Sequence, residues 1–519
     1  MAVIGSGLPG AILALTLARL RLKVVVLEPK SHPRFTIGES STPTTDAYLA
    51  QIAKEFDIPE LLPLSRYSST RTSYPELTIG LKRGFSYFWH ERGKQFAAGQ
   101  NHEKELLVAA SSSDQLSDSN WLRQEIDTLV VSWFSRYGIS YLDRTRIHSI
   151  EWDSGNWRFL LHREGEPSRI RCRYFVDASG SAGLGLQTRG VPSTTDQLQT
   201  NTSALFSHFQ GVKRWSQLDS LDDREHPFVC DNAAVHQLMN GGWMWQLRFD
   251  NGVTSCGIVQ NQMPGLQQDP ADLEQRSPRE LLGHFFRKTG NYPDLARQFA
   301  EARSIIEQEG ALYRRRLQHL YQQGAGRRWS ALPNTIGFVD PLHSKGLAHA
   351  LSGVYRMARR FRSCLMFEGP PGPGERNGGP HLDADALDAK MEILSREFHQ
   401  EVLFLDRLIG LCYLSLDDFD SFRLAASWYF AAATCFEKAR QADADYDTRF
   451  LLAGDTEFCQ RLEQHFSWLQ QSFSTGELSR DQLLSRTTQQ LEQYDLVGLF
   501  APPVHNMYSR TAAPQESEP

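Results

Sequence analysis

The sequence lacks the cysteine spacing that would form disulfides or a cysteine-based zinc site. Its seven cysteines are scattered and none is spaced as CxxC; they lie at positions 172, 230, 256, 364, 412, 435 and 459. An odd, unpatterned set is typical of reduced, buried thiols. The cysteines therefore exclude a disulfide-stabilised secreted domain, and no bound metal is expected.

Excess positive charge and long apolar runs are also missing. The chain has 55 Lys and Arg against 61 Asp and Glu, a formal net charge of -6. Without a basic surface to neutralise phosphates, nucleic acid is a poor candidate partner. No apolar run approaches the roughly 18 residues of a membrane span, and no charged n-region precedes an h-region at the start. We therefore expect no membrane span and a cytoplasmic protein.

Several common catalytic motifs do not occur. The sequence contains no HExxH, no P-loop and no Ser-His-Asp set at sensible spacing. Its 519 residues, 40% hydrophobic and 22% charged, are typical of a globular protein with two or three structural units. There is room for both a cofactor and a substrate.

The first thirty residues carry a glycine motif in a specific context. A short apolar run at 2–4 precedes the motif, and the helical pattern AILALTLARLRL and the apolar run KVVVL at 23–27 follow it. The motif residues are Gly5, Gly7 and Gly10. A strand, a glycine turn, a helix and a buried parallel strand are typical of a Rossmann-type dinucleotide site.

Each residue of this motif has a physical role in such a site. Gly5 permits the tight turn, Gly7 lets the backbone approach a pyrophosphate, and Gly10 allows close packing of the helix. Glu28 closes the second strand, where a carboxylate accepts hydrogen bonds from a ribose and repels the phosphate of NADP. The free N–H groups at the helix start favour bound phosphates.

Spacing alone leaves FAD and NAD both possible, and two later segments favour FAD. The first is RFTIGESSTP at 34–43, which contains Gly38, Glu39 and Ser40; the second is VDASG at 176–180, which contains Asp177 and Gly180. Both occur where a flavin lying extended across the sheet would pass.

Periodicity predicts the remaining organisation. We expect helix over 104–137, strands over 140–176 that return to the first sheet, strands over 200–262, and helices over 386–470. The predicted units are an FAD-binding domain at 1–200 that is resumed at 326–365, a β-rich substrate-side domain at 201–325, and a helical region at 381–505. A glycine- and proline-rich linker at 369–380 and a disordered tail complete the chain. The fold class is α/β, and the arrangement resembles the FAD-binding fold of the glutathione-reductase type.

Three segments resemble the flavin-dependent halogenases, a branch of the class A FAD monooxygenase fold that includes the tryptophan halogenases. PRFTIGESSTP resembles the family segment that passes near the isoalloxazine. LKRGFSYFW at 81–89 resembles the segment of the active-site lysine, which puts Lys82 at that position. FVDPLHSKG at 338–346 matches the signature FxxPxxSxG through Phe338, Pro341, Ser344 and Gly346.

The resemblance implies a reaction. Reduced FAD, dioxygen and chloride or bromide give hypohalous acid, which moves inside the protein to Lys82 and is held next to the substrate. It also implies that Pro341, Ser344 and Gly346 contact the flavin. The turn Ser344-Lys345-Gly346 could bind the halide through backbone N–H groups. A surface lysine in a turn is the structural alternative for Lys82, and a simple glycine turn for the halide site.

Two departures from the family pattern leave the reaction open. The WxWxIP motif keeps Trp243 and Trp245, which should share one face of a strand and wall the substrate space, but lacks the Ile-Pro pair. His343 stands where tryptophan halogenases carry a glutamate. Tryptophan as substrate is therefore in doubt. The alternative is a related monooxygenase that hydroxylates a small molecule or a peptide, and a third possibility is a flavin-binding protein without catalysis.

The remaining candidate residues each have a structural role as the alternative to a catalytic or binding role. His343 and His349 are candidates for acid or base work, with His236 weaker; a hydrogen-bonded structural role is the commoner one for a lone histidine. Arg123 pairs with Asp127 on a helix or approaches the FAD phosphates. Three aromatic residues line a substrate cavity or belong to the core: Tyr429, Phe430 and Phe436. Because a second GxGxxG is missing, we expect a separate flavin reductase to supply the reduced flavin. The expected substrate is free, carrier-bound or peptide-borne.

Overall fold

A computed structural model gives the structure of the chain. It describes residues 1–263, 269–306, 310–366, 380–442, 449–475, 479–500 and 505–509. Most of the predicted linker at 369–380 and the predicted tail lie outside the described residues. Among the described residues, no helix is long and apolar enough to cross a bilayer.

The strands are numbered in chain order. They are β1 (Ala2–Ile4), β2 (Val25–Leu27), β3 (Ile79–Lys82), β4 (Gly84–Trp89), β5 (Glu105–Ala109), β6 (Asp118–Trp121), β7 (Ser140–Leu142), β8 (Thr145–Asp153), β9 (Asn156–Arg163), β10 (Glu166–Cys172), β11 (Phe175–Asp177), β12 (Thr202–Gln210), β13 (Ala234–Met239), β14 (Gly242–Arg248), β15 (Thr254–Asn261), β16 (Arg303–Ser304), β17 (Leu312–Arg314), β18 (His319–Leu320), β19 (Ala325–Gly326), β20 (Trp329–Ala331), β21 (Gly337–Phe338), β22 (Leu365–Met366), β23 (His381–Leu382) and β24 (Met507–Tyr508).

The α-helices are likewise numbered in chain order. They are α1 (Leu8–Arg19), α2 (Pro43–Glu55), α3 (Tyr67–Ser73), α4 (Arg123–Ser132), α5 (Leu184–Thr188), α6 (Pro278–Thr289), α7 (Pro293–Gln298), α8 (Pro333–Ile336), α9 (Lys345–Ser363), α10 (Ala384–Leu414), α11 (Phe419–Ala442), α12 (Thr456–Thr475) and α13 (Arg480–Leu491).

The first sheet has the order β19-β20-β11-β1-β2-β7, and all its pairs are parallel except β19 with β20. Val26 and Leu27 are buried, as residues of inner parallel strands normally are. Helix α1 packs against α4 and α9. Ile4 lies level with Leu27 and Asp177, so the chain leaves all three strands at one edge of the sheet. That edge is where ligands bind in open α/β folds.

The second sheet is larger and mostly antiparallel, with β13 and β4 parallel and β5 and β24 parallel. Its order is β16-β12-β15-β14-β13-β4-β5-β24, with β17 also pairing with β12. Strands β4 and β5 come from within the segment 1–200 that the sequence assigned to the FAD-binding unit. The predicted α/β class with an additional β-sheet and a C-terminal helical region is therefore confirmed, while the domain boundaries stay a prediction.

Two secondary-structure predictions were wrong in part. Residues 104–137 form helix only from Arg123 to Ser132; before it lie β5, whose five residues are all buried, and β6, which pairs with β3. A strand that is buried on both faces shows no alternation of polar and apolar residues. Its sequence therefore cannot be distinguished from that of a buried helix segment. Of the strands at 140–176, only β7 and β11 join the first sheet, because β8, β9 and β10 form an antiparallel sheet of their own.

The helical region is attached to the first unit through a buried ion cluster. Glu401 on α10 accepts hydrogen bonds from His349 at 2.9 Å, from Arg356, and from the Phe450 backbone N–H at 2.9 Å. His349 and Arg356 both lie on α9, which packs against α1 and α2. The cluster therefore fixes α10 on the helix that follows the FxxPxxSxG segment.

Candidate functional site

The glycine turn leaves open space at one position and close packing at the other two. A Cβ at Gly5, where φ is +100°, would lie 2.6 Å from the Ala178 carbonyl oxygen, and one at Gly10 would lie 2.5 Å from the Gly5 oxygen. At Gly7 the nearest described heavy atom is Arg34 Nη2, at 3.6 Å. Gly5 and Gly10 are thus required by packing, whereas the backbone at Gly7 is open to a ligand.

Glu28 organises this turn from the end of β2. Its Oε2 accepts hydrogen bonds from the backbone N–H and the hydroxyl of Ser6, both at 3.0 Å, and Arg34 Nε lies 3.6 Å from its Oε1. A buried anion beside the first turn of α1 suits the ribose contact predicted for Glu28. The contact itself stays a prediction.

The segment with Gly38 and Ser40 crosses to β6 and leaves polar atoms without partners. Ser40 forms an isolated antiparallel bridge with Asn120. The Ser40 hydroxyl and both side-chain polar atoms of Asn120 are buried, yet they find no hydrogen-bond partner among the described residues. Buried polar groups are normally paired, so these atoms indicate a polar ligand at this point.

Arg123 holds the same segment from the start of α4. It donates to both carboxylate oxygens of Asp127, at 2.9 and 3.1 Å, and to the Gly38 carbonyl at 2.8 Å. The predicted pair with Asp127 is therefore confirmed. A contact of Arg123 with FAD phosphates stays a prediction.

The third predicted FAD segment follows β11. The buried Asp177 carboxylate accepts hydrogen bonds from the backbone N–H groups of Ser179, Gly185 and Leu186. These bonds hold the turn at Gly180, where an added Cβ would meet only Asn334 Nδ2 at 3.8 Å among the described residues. Asp177 thus shapes the turn, and the open position is at Gly180.

The FxxPxxSxG segment forms a strained turn. His343 and Ser344 both adopt left-handed backbone conformations, with φ of 64° and 53°. Two consecutive non-glycine residues there are costly, and such strain clusters at functional sites. Helix α9 begins immediately after them, at Lys345. Gly346 lies in its first turn, and a Cβ there would be 3.5 Å from the nearest described atom, in the Phe338 ring.

The side chain of Lys345 turns inward. Its ammonium donates to the carbonyl oxygens of Asp340 at 2.7 Å and Leu342 at 3.1 Å. Burial lowers the pKa of Lys345 to about 8. The ammonium therefore stabilises the turn that Pro341 begins, and only the backbone N–H groups at the start of α9 remain for the predicted halide contact.

His343 lies in a buried cage of aromatic rings. Its ring stacks on Tyr429 with 4.5 Å between centroids, its Nδ1 is 2.8 Å from the Tyr87 hydroxyl, and Phe430 and Phe85 lie edge-on at 5.7 and 6.3 Å. Burial lowers the pKa of His343 well below its usual range. A neutral imidazole in this cage can accept or donate one hydrogen bond, but it does not carry a positive charge near neutral pH.

Lys82 packs against the same Phe85 ring. Its ammonium is 4.3 Å from the centroid of that ring, within cation–π range, and 3.4 Å from Asp118 Oδ2. Lys82 ends β3 directly opposite Asp118, the first residue of β6. The side chain is fully buried, so the alternative of a surface lysine is wrong. Phe85 thus contacts both predicted catalytic residues, Lys82 and His343.

Further acidic groups face Lys82. Asp46, in the first turn of α2, is buried, and its Oδ1 has no hydrogen-bond partner among the described residues. Burial, and then the charge of Asp118, raise the pKa of Asp46 well above its usual range, and burial also raises that of Asp118. Burial lowers the pKa of Lys82, and the two carboxyl groups oppose that change. Asp46 and Asp118 therefore hold their protons more tightly than ordinary carboxyl groups do, beside the single ammonium group of Lys82.

A fourth ionisable group extends the cluster to the helical region. Glu437 on α11 accepts a hydrogen bond of 3.0 Å from the Thr44 hydroxyl, and its side chain is partly exposed. Burial raises the pKa of Glu437 to about 7, with the Asp118 charge adding to the rise. This carboxyl group can therefore exchange a proton between the cluster and solvent near neutral pH.

The sequence reasoning missed these three carboxyl groups. Asp46 lies in the first turn of α2, four residues after the N-cap Thr42. An acidic residue is common there because its charge interacts favourably with the helix dipole. Asp118 follows a serine-rich polar stretch that resembles a loop, and Glu437 lies within a long helix. Only the pairing of β3 with β6 brings Asp118 to Lys82.

The two predicted substrate tryptophans share one face of β14, as expected. Trp243 packs on His236 with 5.0 Å between ring centroids, and His236 stacks on Tyr87 at 4.5 Å. Trp245 donates to the Ser255 hydroxyl, which donates to Glu39 Oε2. Burial lowers the pKa of His236 to about 3. Trp243 therefore backs the His343 cage, and Trp245 belongs to a network with Glu39.

Glu39 and two further candidates have structural partners. Glu39 is buried, and its Oε1 lies 2.6 Å from His208 Nε2, so its carboxylate joins the second sheet. His349 binds Glu401 instead of facing the turn. Phe436 packs on Phe450 with 5.9 Å between centroids, away from His343. The structural alternatives hold for His349 and Phe436, whereas Tyr429 and Phe430 line the His343 cage.

The relatives found by sequence comparison are halogenases. No protein-family model matches the chain. A tetracycline 7-halogenase of Kitasatospora aureofaciens is 25% identical over 374 residues, which cover 70% of this chain and 63% of that protein. The monodechloroaminopyrrolnitrin halogenase PrnC of Pseudomonas fluorescens is 24% identical over 422 residues, covering 80% and 68%. The chain thus matches less than two thirds of the first relative's length.

Solved structures resemble the whole chain. The crystal structure of halogenase PltM in complex with phloroglucinol and FAD has a TM-score of 0.80 at 21% identity, with 98% of both chains covered. The flavin-dependent halogenase CmlS has a TM-score of 0.58 at 16% identity, covering 95% of this chain and 77% of that one. At these identities the likeness shows the fold. By sequence and by fold, this chain is thus a relative of the flavin-dependent halogenases, as its three motifs indicated.

Proposed function

We propose that the chain is an FAD-dependent halogenase acting on an electron-rich aromatic substrate. The observation that carries the proposal is Lys82, an ammonium group buried between Asp118 and the Phe85 ring and one ring away from the strained turn at His343. The relatives named above are halogenases, and one solved structure contains FAD and phloroglucinol.

The residues present fit FAD. The open backbone at Gly7, the unpaired polar atoms of Ser40 and Asn120, and the open positions at Gly180 and Gly346 follow the edge where β1, β2 and β11 end. When bound, reduced FAD with dioxygen, a halide ion and a proton supplies hypohalous acid and water. The halide contact is proposed for the backbone N–H groups at the start of α9, at Ser344, Lys345 and Gly346.

The chain's own residues then act on the hypohalous acid. The Lys82 ammonium donates a hydrogen bond to its oxygen, which orients the halogen, and transfers a proton to that oxygen as it leaves as water. A carboxylate of the Asp46 and Asp118 pair accepts the proton that the aromatic carbon or a phenolic hydroxyl releases. That proton restores the Lys82 ammonium, and Glu437 keeps the cluster in proton exchange with solvent. The aromatic cage keeps water away from the oxidant.

The electron donor is proposed to be a separate flavin reductase, because the sequence lacks a second dinucleotide motif for a nicotinamide. The substrate is a small molecule, free or attached to a carrier or peptide. A cytoplasmic location is part of the same proposal, since reductase and NADH are available there.

Mass spectrometry of reaction products tests the proposal. The protein is combined with FAD, a flavin reductase, NADH and oxygen, and with phenols, pyrroles or indoles, in chloride, in bromide and without halide. We expect a product whose added mass follows the halide. A product that gains one oxygen regardless of halide would instead support the alternative, a hydroxylating monooxygenase.

A further inference from the structure

A cluster of histidine and glutamate side chains lies outside the site described above. Glu105 begins β5, His102 lies in the loop before it, and His226 lies in the connection between β12 and β13. One ligand atom from each of these three residues lies within 4.8 Å of the other two. Two segments distant in sequence, 102–105 and the connection that contains His226, thus bring two imidazoles and one carboxylate to a single point.

The cluster contains buried polar atoms that protein groups do not satisfy. The Glu105 side chain is fully buried and the His226 side chain is 2% exposed, with 3.3 Å between Glu105 Oε2 and His226 Nε2. Yet Glu105 Oε2 and both ring nitrogens of His226 make no hydrogen bond within the described residues. A charged oxygen and an imidazole left in this state are costly unless a ligand pairs them.

The remaining contacts resemble the surroundings of a metal ligand. His102 Nδ1 is 2.5 Å from Glu105 Oε1, and His102 Nε2 is 2.9 Å from Glu225 Oε2. A metal-bound histidine commonly gives its other ring N–H to a carboxylate, which fixes the ring and its tautomer. Glu225 occupies that outer position, so His102 is oriented with its Nδ1 toward Glu105.

We propose that His102, Glu105 and His226 bind a divalent transition metal of the Zn²⁺ type. Two imidazoles and a carboxylate are a ligand set that Zn²⁺ accepts, at about 2.0–2.2 Å per bond and with a water molecule in the fourth position. The bound ion satisfies Glu105 Oε2 and His226 together. This inference does not depend on the proposed halogenase activity.

The position of the cluster indicates a structural role. Glu105 pairs with Phe88 at one end of the β4–β5 hairpin. Gly84, two residues after Lys82, lies at the other end. Four residue-to-residue steps separate the two ends, roughly 13 Å at about 3.3 Å per step. The His102 carbonyl also accepts a hydrogen bond of 2.8 Å from Asn506, beside β24. The metal therefore joins the hairpin to the connection before β13, and the Asn506 hydrogen bond ties the same loop to the last described strand.

Metal analysis of tag-free protein tests the proposal. Purified protein is stripped with a chelator, titrated calorimetrically with Zn²⁺, and assayed for bound metal and for melting temperature. We expect one Zn²⁺ per chain and a melting temperature that rises on addition of Zn²⁺. Co²⁺ bound in its place should give visible d–d absorption, a readout that needs no variant and no activity.

Three variants and one control make the assignment specific. Glu105→Gln and His226→Gln should abolish stoichiometric binding, while Glu225→Gln should weaken it about 10–100-fold through the orientation of His102. The control is His148→Gln, in an exposed histidine pair with 5.5 Å between ring centroids. The proposal is overturned if stripped wild-type protein binds no stoichiometric Zn²⁺ or Co²⁺, or if His148→Gln reduces binding as much as His226→Gln.

Discussion

Replacing Glu437 by glutamine should change how stability depends on pH. In the wild type, burial raises the pKa of this carboxyl group from 4.5 to about 7. The unfolded chain therefore releases the proton near pH 4.5 while the folded protein keeps it until about pH 7. Since the unfolded state binds fewer protons in that interval, the wild type loses stability as the pH rises. Glutamine does not titrate and escapes this loss.

The pKa change sets the size of the effect. At about 1.4 kcal/mol per pKa unit, a rise of this extent corresponds to about 3 kcal/mol. Because the Glu437 side chain is partly exposed, solvent screening reduces the expected value to about 1–2 kcal/mol. Glutamine can still accept the hydrogen bond from the Thr44 hydroxyl, so the two proteins should be similar below pH 4.5.

Urea unfolding across the pH range measures this difference. The free energy of unfolding of Glu437→Gln should exceed that of the wild type by an amount that grows between pH 4.5 and 7 and then stays constant. The matched control is Glu392→Gln on α10, where the side chain is exposed and no such divergence is expected. A difference that stays flat over this range would refute the reasoning.

The other predictions concern single substitutions. Glu401→Gln should lower the free energy of unfolding by about 3–5 kcal/mol, because the buried Arg356 would lose the fully buried carboxylate charge that it pairs with. Glu397→Gln, which breaks a more exposed bond to the same arginine, should cost about 1 kcal/mol or less in the same urea titration. Gly10→Ala should prevent folding, whereas Gly7→Ala should keep its circular dichroism and lose affinity for FAD in a fluorescence titration. Equal FAD affinity in Gly7→Ala and wild type would contradict the pyrophosphate role.

Local sequence was sufficient to predict the dinucleotide unit. The strand at Ala2–Ile4, the glycine turn and α1 are contiguous, so their pattern contains all the contacts that define them. The same holds for the alternation that puts Trp243 and Trp245 on one face of β14. The long helices α10 and α11 also followed from their periodicity.

Pairing between distant segments could not be predicted in this way. The buried run at Glu105–Ala109 forms a central strand because β4 and β24 flank it, and the β24 residues lie almost 400 positions later. Asp118 and Glu437 become part of the candidate site for the same reason. Residue types at the site were visible in the sequence, but their partners depend on sheet order and helix packing.

The most direct test of the central claim is the product of Lys82→Met compared with that of Lys104→Met. Both substitutions remove a lysine ammonium, but Lys82 is fully buried beside Asp118 whereas Lys104 pairs with Glu91 near the surface. The account predicts that Lys82→Met retains FAD binding and oxygen consumption and loses halogenated product by about 100-fold or more, while Lys104→Met matches the wild type. Halogenation by Lys82→Met at the wild-type rate would contradict the account.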